Sequence, residues 1–151
     1  MTRYFEDFTV GQILHGGPVV VEAKAIKEFA AMFDPQPFHL DEAAAAQSLF
    51  QGLAASGWQT ASLTMRMMTE GLGVAGHFIG IEVDGLRWPL AVRPGDVLRA
   101  EVEIAEMRPL RSRPEYGLVK LNIVTLNQAD QPVQHMHTTT LIGRRSQTPP
   151  A

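Results

Sequence analysis

An α+β domain in which an antiparallel sheet wraps one long helix is what this chain of 151 residues specifies. Three patterns say so. Apolar residues recur at helical spacing only in the first half of the chain. The segment from Ser56 to Glu70 is apolar around most of its circumference, which suits a central buried helix better than a surface one. Beyond Gly76 the hydrophobic period falls from about 3.6 residues to about 2, the spacing of half-buried strands. Helices first and strands afterwards is the order of an α+β layout.

Near the start, Phe8-Thr9-Val10-Gly11-Gln12-Ile13 reads as a short strand or an extended lead-in. From Ala23 to Phe33, Ile26, Phe29, Ala30 and Phe33 fall at i, i+3, i+4 and i+7, one apolar helical face. The segment Asp34-Pro35-Gln36-Pro37-Phe38-His39 ends that helix, because each proline pushes the residue before it towards extended conformations. It reads as a rigid strut between two helices. Asp41 then caps a short alanine-rich helix running to about Gln47. Ser56 followed by Gln59 fits a capping box for the long helix, and Gly71 suits its far end. His77 to Val92 is rich in β-formers. Arg93-Pro94-Gly95-Asp96 places Pro and Gly in the order of a tight turn. Leu98, Ala100, Val102 and Ile104 alternate with Arg99, Glu101 and Glu103, one half-buried strand. Leu118 to Leu126 and Val133 to Gly143 supply two more around the turn-like Asn127-Gln128-Ala129-Asp130, completing an antiparallel meander.

The expected organisation is a single domain over 1–145 and a disordered, proline-rich tail over 146–151. A formal charge of −3 gives no electrostatic footprint for nucleic acid or an anionic membrane. No stretch approaches the ~20 apolar residues of a membrane span. The N-terminus lacks the basic and then apolar pattern of a signal peptide, so a cytoplasmic protein is expected. With no cysteine, disulfides, thiolate metal sites and a cysteine nucleophile are excluded. Phosphate loop, dinucleotide fingerprint and nucleophile elbow are all missing, and no cofactor is expected.

Asp34 and His39 are the leading candidates for chemistry. They are either a helix-ending carboxylate and a structural imidazole, or an acid–base pair on one water molecule. The proline bracket favours the second, since it holds both groups on a stiff connector. Ser56-Gly57 is either an ordinary cap or an oxyanion site. In the second case the free N–H groups and positive end of the helix face a ligand oxygen, and the missing side chain of Gly57 lets that oxygen approach. His135 and His137 share a strand face without a third ligand, so no metal is expected; His15 and His77 show no partner. Arg108, Arg111, Arg113, Arg144 and Arg145 are either a solvated surface or a receiver of phosphates.

The stretch from Phe29 to Asp41 resembles the hydratase signature of the MaoC-like dehydratases, which include the (R)-specific enoyl-CoA hydratases. Ala55-Ser56-Gly57-Trp58 resembles the start of that family's helix. Tyr4 to Gln12 and the Arg93–Asp96 turn are similar to it too, so the likeness runs from about Tyr4 to Gly143. The resemblance implies a hotdog fold, usually dimeric. It puts Asp34 and His39 on the catalytic dyad and the Gly57 N–H on the thioester oxygen, with Gln36 and Ser56 behind them. Phe33 stands where the signature has Gly, Gln36 where it has Asn, and Phe38 where it has a smaller aliphatic residue. Gln36 keeps donor and acceptor at a longer reach, and the two aromatics are expected to reshape the acyl pocket.

The implied activity is hydration of an enoyl-CoA-type thioester or dehydration of a 3-hydroxyacyl thioester, the carrier being CoA or an acyl carrier protein. Two alternatives stand beside it. A hotdog acyl-CoA thioesterase would need an acidic residue on or near the long helix, for which only Glu70 offers itself. A non-catalytic acyl-CoA-binding module would keep the fold alone. A sheet around one helix leaves open edges, so a homodimer or a multiple of dimers is expected.

Overall fold

The computed structural model describes residues 1–74 and 77–145. The expected tail at 146–151 lies outside the described residues. After a single 3₁₀ turn at Phe5–Asp7 come β1 (Ile13–Val20), α1 (Ala23–Phe33), α2 (Pro37–Leu40), α3 (Glu42–Ala46) and α4 (Gly57–Leu72). The strands β2 (Phe78–Arg87), β3 (Val97–Pro109), β4 (Tyr116–Leu126) and β5 (Pro132–Gly143) follow. They form one antiparallel sheet in the order β1-β3-β4-β5-β2, wrapped around α4. This is the hotdog arrangement.

The alternation in β3 is realised as read. Leu98, Ala100, Val102 and Ile104 are buried against the helix side. On the other face Arg99 pairs with Glu101 at 2.7 Å, and Asn122 of β4 donates to Glu103 at 3.1 Å. Only β3, β4 and β5 make the expected meander. The chain carries β2 to the far edge beside β5, while β1 takes the opposite edge beside β3. The Arg93–Asp96 turn joins Asp96 N–H to Arg93 O at 3.0 Å and holds Gly95 at φ +87°, which only glycine adopts freely.

Four local expectations need correction. The segment after Gln36 is not extended throughout, because Pro37 starts the short helix α2 at a position where its fixed φ fits and its missing N–H costs nothing. The helix α4 ends on Gly73, at φ +66°, rather than Gly71. Gly71 is instead where α4 touches β1: a Cβ there would sit 2.5 Å from the His15 carbonyl oxygen. No capping box forms, since Ser56 accepts from Trp58 N–H while Gln59 Oε1 is buried without a hydrogen-bond partner. Finally, α4 is not buried all round. Its inner face presents Thr60, Thr64, Met67, Met68 and Leu72, whereas Trp58 is 59% and Met65 38% exposed.

The core has two parts along α4. Met68 and Leu72 pack with Val102, Ile104 and Ile142 towards the helix C-terminus. Met67, with Leu63 beside it, packs with Ile26, Ala45, Leu53 and Leu98. This second cluster seats the short helices α1 to α3 against the beginning of α4, where the candidate site lies.

Candidate active site

Asp34 caps the C-terminus of α1, its N–H bonded to Ala30 O at 2.9 Å. Two residues on, Gln36 N–H turns back to Asp34 O at 2.7 Å. That tight turn and the one-turn helix α2 swing His39 round to face the carboxylate. His39 Nε2 and Asp34 Oδ2 stand 3.3 Å apart. His39 is 4% exposed and walled by two rings, Phe38 edge-on at 4.6 Å and Phe50 beyond it.

The imidazole tautomer follows from its other nitrogen. Nδ1 lies 2.6 Å from Ala54 O, and a carbonyl only accepts, so Nδ1 carries the hydrogen. In the neutral ring Nε2 then has only its lone pair to offer, and it faces a carboxylate oxygen. Two acceptors at that range call for a shared proton or a donor that serves both. An O–H-bearing molecule suits such a place.

The carboxylate is held from both sides. Gln36 Nε2 donates to Oδ1 at 2.7 Å, and Ser56 Oγ donates to Oδ2 at 2.7 Å. The Ser56 lone pair is taken by Trp58 N–H at 3.2 Å, so its single proton goes to Asp34. The cap of α4 and the dyad are thereby one hydrogen-bonded unit. Burial pushes the Asp34 carboxyl up, but the bonds from Gln36 and Ser56 and the nearby His39 outweigh it and hold it below the usual carboxylate range. With the folded value depressed, the unfolded chain binds more protons in the window between the two pKa values. The resulting stabilisation is complete above the unfolded carboxylate pKa and is lost as pH falls through the lower folded value. Ser56→Ala removes one of the two bonds and narrows that window. Urea unfolding is expected to show it less stable throughout, by about 1 kcal/mol for the lost cap, with a shallower further loss in acid. An acid profile parallel to wild type would mean that Ser56 does not hold the carboxylate.

His39 and Gly57 line one cavity of about 340 Å³, together with Gln36, Phe38, Phe50 and Trp88. Gly57 opens α4, where the helix supplies no acceptor for its N–H. A Cβ at residue 57 would lie 2.5 Å from the Trp88 indole, so that ring fills the place a side chain would take. Of the two aromatics in the signature region, Phe38 lines the cavity, whereas Phe33 packs at a tilt against Phe29, with centroids 5.1 Å apart, and is 66% exposed.

Three residues that sequence reading passed over complete the surroundings. Ala54 fixes the imidazole through its carbonyl. Trp88 covers the start of α4 and is tied down by its Nε1–H to Gln134 Oε1 at 2.8 Å. The guanidinium of Arg93 donates to the carbonyls of Phe50, Gly52 and Leu53, clamping the loop that delivers Phe50 and Ala54. Only the Arg93 turn carried a signal, and it signalled a turn.

The other candidates lie elsewhere. Glu70 sits near the opposite end of α4, about 20 Å from Gly57 at the helical rise per residue, and pairs with Arg66 at 3.0 Å. His137 is exposed on β5, 2.7 Å from Asn122 Oδ1. Among the described residues no group of three His, Asp or Glu side chains could hold a metal ion. Arg144 bonds Glu6 at 3.0 Å and Arg145 bonds Asp7 at 2.7 Å, so both serve the N-terminal turn. Arg108 and Arg111 border an open hollow by the β3–β4 connection. No described helix is long and apolar enough to cross a membrane.

At the level of the family, the protein is of the MaoC-like hydratase and dehydratase class. The chain belongs to the MaoC-like domain family, whose model matches residues 8–125. It is similar to a MaoC-like dehydratase from Rhodospirillum rubrum, 46% identical with TM-score 0.90, over 95% of this chain and 99% of that one. A second similar structure is an (R)-hydratase from A. caviae involved in PHA biosynthesis, 26% identical with TM-score 0.75, over 89% and 97% of the two chains. The uncharacterised protein YdeM of Bacillus subtilis is 31% identical over 140 residues, 92% of this chain and 98% of its own length.

Proposed function

We propose that this protein adds water across the 2,3-bond of an enoyl thioester, or removes it from the 3-hydroxyacyl thioester. The observation that supports the reading is the Asp34–His39 contact of 3.3 Å, with His39 and Gly57 lining one cavity. A water molecule donating to both Oδ2 and Nε2 satisfies the two facing acceptors. As its oxygen bonds to Cβ, one of the two residues takes its proton. The 2,3 π-pair moves to Cα and the thioester oxygen gains charge, which Gly57 N–H stabilises at the positive end of α4. A proton delivered to Cα from the same side completes the addition, and dehydration runs the steps backwards.

The test is a panel of trans-2-enoyl-CoA and enoyl carrier-protein thioesters of varied length. Absorbance of the conjugated thioester and release of free thiol are followed together. Hydration without thiol release is expected. Thiol release with the double bond intact would identify a thioesterase instead, and binding with neither reaction a non-catalytic module.

The same reading includes a homodimer. All of β2 except Phe78 and Leu86 is exposed, including Ile79, Ile81 and Val83, and it forms one open edge of the sheet. An apolar unpaired edge of this length calls for a partner strand, and a second copy supplies one through two-fold pairing. Light scattering at micromolar concentration is expected to give twice the 16.6 kDa protomer mass or a multiple of it; a protomer mass would contradict the pairing.

A further inference from the structure

We propose that Arg93 is a positioning residue for His39. By gripping the loop between α3 and α4 it turns the Ala54 carbonyl onto Nδ1 and so keeps Nε2 free to accept a proton. Its effect on rate rests on the hydratase reading; its effect on the imidazole does not. The neutral ring has two states. With hydrogen on Nδ1 it donates to Ala54 O at 2.6 Å and leaves a lone pair facing Asp34. With hydrogen on Nε2 it would donate to the Asp34 carboxylate 3.3 Å away, and a bond to a charged acceptor is the stronger kind. That second state ties the two groups to each other and leaves no pair of acceptors for a water molecule. The bond from Nδ1 to Ala54 O is what favours the first state, and the loop sets the direction of that carbonyl.

The loop needs such a grip. Gln51 holds φ +54°, a left-handed conformation uncommon for a residue with a side chain. The amides of the loop are held one by one: Gln51 N–H by Ser48 O at 3.0 Å, Gly52 N–H by Ala45 O at 3.1 Å and Ala55 N–H by Val92 O at 2.9 Å. Its carbonyls share one donor group. Arg93 Nη1 donates to Gly52 O at 2.9 Å and to Leu53 O at 3.3 Å, and Nη2 donates to Phe50 O. Leu53 and Ala54 are buried, so a carbonyl released there must turn to find another donor. The fork is itself seated: Arg93 N–H donates to Asp96 Oδ2 at 2.8 Å, and Gln128 Nε2 donates to Oδ1 at 3.0 Å. A planar guanidinium can serve three carbonyls at once. A lysine ammonium is a point charge on a flexible stem and cannot span them. Without the fork, Gln51 relaxes, the peptides after it turn, Ala54 O leaves Nδ1, and hydrogen passes to Nε2.

The test compares wild type, Arg93→Lys and Gly11→Ala. The last is a control at the opposite end of α4, where Gly11 N–H bonds Ile104 O and Ile104 packs with Leu72. Nitrogen NMR of labelled histidines, assigned against His39→Ala, shows which nitrogen of the neutral ring carries the hydrogen. Turnover of crotonyl-CoA and calorimetric affinity for butyryl-CoA separate rate from binding. Wild type is expected to show hydrogen on Nδ1. Arg93→Lys is expected to move it to Nε2 and to lose about 10²-fold in kcat, the cost of misplacing a reacting group by about 1 Å, while butyryl-CoA affinity hardly changes. Gly11→Ala should keep the wild-type tautomer and rate despite its lower stability. Should Arg93→Lys fail to fold, Gln51→Gly relieves the left-handed residue. Arg93→Lys combined with Gln51→Gly, read against Gln51→Gly alone, should then show the same two changes in smaller measure. Hydrogen on Nε2 in wild type, or on Nδ1 in both Arg93 variants, would overturn the proposal and leave any hydratase activity standing. A shift to Nε2 in Arg93→Lys when wild type hydrates no enoyl thioester would uphold the positioning role and remove the hydratase reading.

Discussion

Asp34→Asn is expected to slow hydration of an enoyl thioester by about 10²–10⁴, the usual contribution of a positioned acid or base. Affinity for a saturated acyl-CoA should hardly change. Asparagine keeps the shape of the side chain and can still be held by Gln36 and Ser56, which grip the carboxylate at 2.7 Å each. What it loses is the oxygen pair that accepts a proton opposite His39 Nε2. His39→Ala should cost a comparable factor, but it also empties a buried site and leaves Ala54 O unpaired, so some stability goes with it. If the two residues work on one water, the double variant should be little worse than either single one. Stopped assays on crotonyl-CoA give the rates and calorimetry the affinities. Wild-type turnover in either single variant would remove the dyad assignment, and additive losses would mean that the two residues act at different steps.

The Asp34–His39 contact could be read from the sequence because its geometry is local. Asp34 and His39 meet through a short run of chain whose course two prolines constrain, and the Ser56 cap belongs to the helix that follows. What surrounds them could not be read, for the opposite reason. Trp88 reaches Gly57 only after β2 has crossed to the far edge of the sheet, and Gln134 arrives from β5 to anchor it. Arg93 finds its three carbonyls in a loop some forty residues away. None of these pairings leaves a periodic or spaced trace.

The fold divides the same way. β3 was plain because its buried face reads Leu98, Ala100, Val102, Ile104 against a charged face. β1 was hidden because His15-Gly16-Gly17-Pro18 breaks any alternation. It is nevertheless a strand, since proline and glycine are tolerated at a sheet edge and β1 is one. The sequence around α4 suggested burial on all sides because Trp58 and Met65 are apolar. In the protomer those side chains face outward, towards the hollow beside β2.

Gly16→Ala should be among the most destabilising single changes in this protein. A Cβ at Gly16 would lie 2.0 Å from the carbonyl oxygen of Met67, and one at Gly71 only 2.5 Å from that of His15. Helix α4 and strand β1 therefore meet backbone on backbone. Neither glycine has a positive φ, so close approach and not conformation is what demands them. A methyl at Gly16 meets peptide groups that cannot rotate aside, and the helix must lift. Lifting it parts Met67, Met68 and Leu72 from the strands they pack on, all of them fully buried. Overpacking usually costs about 1–3 kcal/mol, and with rigid atoms on both sides the upper end or beyond is expected. For a domain of this size about 3 kcal/mol lowers Tm by roughly 6–12 °C. Gly11→Ala is the control. It sits at φ +87° with nothing within 4 Å, so it bears only the backbone term, about 1–2 kcal/mol. A Tm for Gly16→Ala no lower than that of Gly11→Ala would show that α4 is not seated on β1 in this way. Because the helix so seated also carries Gly57 and the Ser56 cap, protein that remains folded after Gly16→Ala should hold Asp34 less firmly and turn over more slowly.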